Sequence, residues 1–100
     1  MNRSPRPEAI EAAVIDSWRH LKRDDPVWDF ELTARKFPEA IEAHRKMVTA
    51  ILETGCDLER AIPKATGGKH SVEDLWDSGK QWNRRLADFL KKWAYEHGLA

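Results

Sequence analysis

Val72, Leu75, Gly79, Trp82, Leu86, Phe89 and Trp93 are separated by alternating steps of three and four residues. A seam with that spacing runs along one side of a helix. A second, thinner stripe of Trp76, Leu90 and Ala94 widens the apolar side. Ser71 stands where an N-cap is needed. Glu73 and Asp74 put carboxylates near the positive end of the helix dipole, and Gly98 offers a stop after His97. The pattern predicts a helix over about 71–97, roughly 39 Å long. A helix apolar over so wide a side needs cover along most of its length, from the rest of the chain or from a second chain.

The rest of the chain supplies shorter helices. "SPRP" at 4–7 starts one, with Ser4 as cap and prolines in the first turn, where the missing N–H groups have no intrahelical partner. Ile10, Val14, Trp18 and Leu21 follow at helical spacing, and "KRDDP" ends it. Asp25-Pro26 is a second start. The segment it opens reads two ways. Val27, Phe30, Ala34 and Phe37 fit a helical stripe, whereas Trp28, Phe30, Leu32 and Ala34 alternate with polar residues as in a strand. Helix is the favoured reading of 27–36, because no other stretch offers a strand to pair with.

Phe37 precedes a proline and is pushed out of helical conformation, so a boundary falls there. Pro38 then opens a helix to about Thr54 with Ile41, His44, Val48 and Ile51 inward, and Gly55 stops it. Asp57 caps a short "LERAI" helix that Pro63 is expected to limit or bend. "KATGGKH" is a loop. The whole predicts a single all-α domain, 1–100, a compact bundle of four to five helices with a long C-terminal one.

The word "PEAIEA" occurs at 7–12 and again at 38–43. Beyond it the two stretches diverge, and their apolar stripes fall out of step, whereas stacked repeats present equivalent faces throughout. What recurs is a helix start: proline in the first turn, glutamate near the positive dipole end, one isoleucine inward.

Acidic and basic residues number 17 each and balance within each half of the chain. No overall field draws the molecule to nucleic acid or anionic membrane, so any such binding rests on a local patch. Cys56 is the lone cysteine, which rules out an internal disulfide framework. The first residues lack the apolar core of a secretory signal, and no apolar run approaches the ~20 residues that span a bilayer. A soluble cytoplasmic protein with no membrane partner is the expectation.

Motifs for chemistry are weak. "PKATGGKHS" has Pro63 where a phosphate-loop needs glycine, and His70 where it needs a hydroxyl. His20, His44, His70 and His97 show no metal-ligand spacing. His44 lies on an apolar stripe and reads as a satisfied core histidine, and Cys56 as a partly buried structural thiol. The acidic spot of Asp24, Asp25, Asp29 and Glu31 reads as capping plus a solvated turn. No cofactor, metal, small-molecule substrate or enzymatic activity is expected.

Two binding readings remain. In the favoured one the chain is a protein-interaction or self-assembly module. It would use the Trp-rich surface (Trp28, Trp76, Gly79, Trp82 and Trp93) or the 27–37 segment, since Trp is enriched at binding hot spots. In the alternative, helices 57–65 and 71 onward form a helix-turn-helix-like DNA binder. Its basic loop is Lys64, Lys69 and His70, and its basic face is Lys80, Arg84, Arg85, Lys91 and Lys92. Against that stand Pro63, a long turn, and Glu73, Asp74 and Asp77 at the end that would face phosphates.

Overall fold

The computed structural model describes residues 6–74 and 77–98, with the backbone alone at 77 and 78. Among these residues there are five α-helices, two 3-10 turns and no strand. α1 (Pro7–Leu21) begins with Pro7 in its first turn and Glu8 beside it, and Arg6 at the N-cap offers no side-chain cap. The expected cap Ser4 lies outside the described residues. α1 buries Ala13, Val14, Ser17, Trp18 and Leu21.

The ambiguous segment is helical. Pro26–Trp28 make a 3-10 turn, and α2 (Phe30–Lys36) follows, capped by the Asp29 carboxylate, which accepts from the Leu32 N–H at 3.2 Å. Asp29 therefore splits what looked like an alternating strand into two helical pieces. Phe37 alone separates α2 from α3 (Pro38–Glu53). α3 buries Ile41, His44, Val48, Ala50 and Ile51. It ends where Gly55 and Cys56 both take positive φ (69° and 65°) and the Cys56 N–H reaches back to the Ile51 carbonyl at 2.7 Å. That reversal explains the glycine; Cys56 adopts the same hand without a glycine's freedom.

α4 (Leu58–Ala65), capped by Asp57, keeps to the expected 57–65 and runs through Pro63. The proline removes one bond, to the carbonyl of exposed Glu59, where water can substitute, while buried Ala61 and Ile62 anchor the helix just before it. The last helix, α5 (Asp77–Glu96), starts later than Ser71. Ser71 donates both its N–H (2.9 Å) and its hydroxyl (3.3 Å) to the Asp74 carboxylate, which closes Val72–Asp74 into a 3-10 turn. Serine is thus the donor and aspartate the acceptor, the reverse of an N-cap.

α3 is the centre of the bundle and touches all four other helices; α1 and α5 also pack on each other. The radius of gyration, 13.0 Å, is that of a compact domain of this length. The side of α5 turned inward carries Asn83, Leu86, Ala87, Leu90, Trp93 and Ala94, with Trp82 and Phe89 half-buried at its edge. The buried strip therefore lies between the two stripes read from sequence. The repeated word acquires a tertiary role. Its second glutamate in each copy, Glu11 on α1 and Glu42 on α3, binds Arg45, at 2.6 Å and 2.5 Å.

Candidate interaction surfaces

A buried polar pair lies where α1 and α3 meet. The Ser17 hydroxyl donates to the Val14 carbonyl at 3.2 Å, so its oxygen accepts from His44 Nε2–H at 2.9 Å. His44 Nδ1 has no partner among the described residues. The Trp18 and Trp82 rings stand edge-on to the imidazole, at 5.2 and 6.4 Å. Burial holds the His44 pKa down to about 4, offset only in part by the Val14 carbonyl. Ser17 and His44 resemble a nucleophile and its base in distance, yet both are sealed in the core, where no substrate reaches.

Trp18 also sets the position of the surface above it. Its indole N–H donates to the Trp28 carbonyl at 2.7 Å. The Trp28 N–H in turn closes on the Asp25 carbonyl, and the Asp25 N–H on that of Lys22. These bonds hold a corner in which Val27 is 70% exposed, Trp28 37% and Phe37 47%, the last two rings being 6.1 Å apart. The Lys22 ammonium lies 5.5 Å from the Trp28 ring and 5.0 Å from that of Trp82, so it bridges the corner to the edge of α5.

The other expected contact residues fall out differently. Trp93 is buried, donates its indole N–H to Asp16 at 2.9 Å and carries the His97 ring stacked at 3.9 Å. It is a core residue, not a contact surface. Gly79 is half-buried. Trp76 lies outside the described residues.

The basic residues do not form one patch. Lys64 is paired with Glu53 at 3.4 Å, and Lys69 and His70 are exposed in the loop after α4. Lys80 is half-buried, and Arg84, Arg85, Lys91 and Lys92 are exposed along α5. Lys91 faces the α3–α4 turn, where it partly counters the burial that raises the Cys56 thiol pKa. Arg85 and Lys92 face the other way, toward the end of α1. There they border a groove of about 490 Å³ with His20 and Arg23, two residues the sequence reading did not select. The His20 ring stacks on Phe89 at 4.7 Å. Its pKa is lowered, first by burial and then by Arg23, Arg85 and Lys92. Nothing in the chain's linear order joins residues 20–23 to 85–92, so only their packing could reveal this site.

Residues 66–74 after α4 are loop and a 3-10 turn, already much longer than the ~3–4-residue turn of a helix-turn-helix. No group of three or more His, Cys, Asp or Glu side chains is placed to hold a metal ion among the described residues. None of their helices is long and apolar enough to cross a membrane. Comparison with protein-family models, curated proteins and solved structures finds no match to this chain.

Proposed function

We propose that this chain is a non-enzymatic interaction module whose contact surface is the aromatic corner of Val27, Trp28 and Phe37, continued through Lys22 to Trp82. One observation carries the reading. Three large apolar side chains sit exposed in one corner whose backbone is tied to the core through Trp18. A rigid, exposed aromatic group loses little conformational entropy on binding, which is why such residues dominate interface energetics. The partner is a protein, either a second copy or another chain. The non-enzymatic part rests on chemistry: burial pushes the Cys56 thiol pKa up, away from the reactive thiolate, and the Ser17–His44 pair is enclosed.

Val27→Glu combined with Phe37→Glu tests it, because both side chains are exposed and neither belongs to the core. The variant should keep its helical circular dichroism and its unfolding midpoint, and lose whatever self-association or partner capture the native chain shows. Sedimentation velocity over a wide concentration range, paired with affinity capture, reads both. A native chain that stays monomeric and captures the same partners as the variant defeats the proposal.

A further inference from the structure

The groove between the end of α1 and the outer side of α5 is independent of the aromatic corner. We propose that it binds a nucleoside phosphate, either a free nucleotide or the nucleotide of a single strand. Three cations converge on it from two helices: Arg23 from the end of α1, Arg85 and Lys92 from α5. Each is only loosely paired. Arg85 has no carboxylate within 4.0 Å among the described residues; Lys92 is 4.0 Å from Glu96, and Arg23 is 3.9 Å from Asp24 and gives one guanidinium N–H to the His20 carbonyl at 2.7 Å, with its other N–H groups left over. Arg45, by contrast, is held by two carboxylates at 2.5 and 2.6 Å. The groove cations therefore retain donors for an incoming anion, and the forked guanidinium of Arg85 suits phosphate oxygens.

The wall beside them is aromatic. The exposed His20 ring offers the stacking face, half-buried Phe89 backs it at 4.7 Å, and Trp93, which also borders the groove, stays a core residue. A planar base stacks on such a surface, whereas a bare inorganic anion gains nothing from it. Asp88 and Glu96 also border the groove. They leave the three cations with a single net positive charge, which makes the site salt-sensitive and places a phosphate on the Arg23–Arg85 side, toward His20. A bound phosphate there also favours the protonated imidazole, so binding lifts the His20 pKa.

The test uses the full chain and two probes, ATP and a short oligothymidylate, titrated at low ionic strength and followed by backbone and histidine-ring NMR. The expected result is saturable shifts at His20, Arg23, Arg85, Phe89 and Lys92, with the His20 titration midpoint moving up. Arg85→Ala with Lys92→Ala should weaken binding roughly tenfold or more, while Lys46→Ala on α3 leaves it unchanged. Saturation by ATP identifies a free nucleotide as the ligand; saturation by the oligonucleotide alone identifies a strand. Absence of shifts with both probes overturns the proposal. So does binding that the double variant and Lys46→Ala weaken equally, or an unmoved His20 midpoint.

Discussion

His44 makes the stability of this domain depend on pH in a calculable way. The folded chain holds its imidazole neutral, with a pKa of about 4 against an ordinary 6.5. The pKa is depressed because the cationic ring would have to shed water inside the core with no acceptor at Nδ1. Between pH 6.5 and 4 the unfolded state therefore holds about one more proton than the folded state. Stability is full above 6.5 and falls as the pH drops, at about 1.36 kcal/mol per unit. By pH 4 the loss comes to about 3 kcal/mol, a large part of the roughly 5–15 kcal/mol typical of a small domain.

His44→Gln keeps a donor in reach of the Ser17 oxygen and removes the titration. Urea unfolding of both proteins from pH 7 to pH 4 isolates the effect, because every other ionisable group is common to the two. The variant should be the less stable at pH 7 and should recover about 3 kcal/mol relative to the native chain by pH 4. Parallel pH profiles would falsify the argument. A His44 ring-proton titration in the folded state with its midpoint near the ordinary value would also refute it.

Trp93→Phe removes the indole donor to Asp16 and some core volume, and should cost about 2–3 kcal/mol with little change in the urea m-value. Thr33 is buried, and its hydroxyl has no partner among the described residues, so Thr33→Val should raise stability by about 1 kcal/mol in the same assay. Arg45→Met breaks the pairs to Glu11 and Glu42. Those side chains are a third to a half exposed, so the loss should be about 0.5–1 kcal/mol at low salt and should shrink toward zero in about 1 M salt.

Much of the architecture is set by interactions within a few residues of chain, and such interactions can be read in order along the sequence. Proline at the first turn of α1 and α3, Asp57 capping α4 and Gly55 ending α3 all act this way. So does the inward row of Ile41, His44, Val48 and Ile51, because helical spacing alone aligns it. Local reasoning failed where two local preferences competed. Ser71 is a good N-cap, and the Asp74 carboxylate three residues on accepts its N–H and hydroxyl, yet residues 72–74 close into a 3-10 turn instead of the first turn of α5. Pro63 is a helix breaker, yet buried Ala61 and Ile62 carry α4 past it.

The surfaces were decided by tertiary packing. Periodicity showed that α5 has a wide apolar side but not which part the bundle would cover. The answer, a strip centred on Leu86 and Leu90 that includes Trp93, buried Trp93 and left Trp28 exposed. Composition showed an even balance of charge. Only the packing of α1 on α5 brought His20 and Arg23 beside Arg85 and Lys92, because a groove between helices is a property of their mutual placement, which neither helix encodes alone.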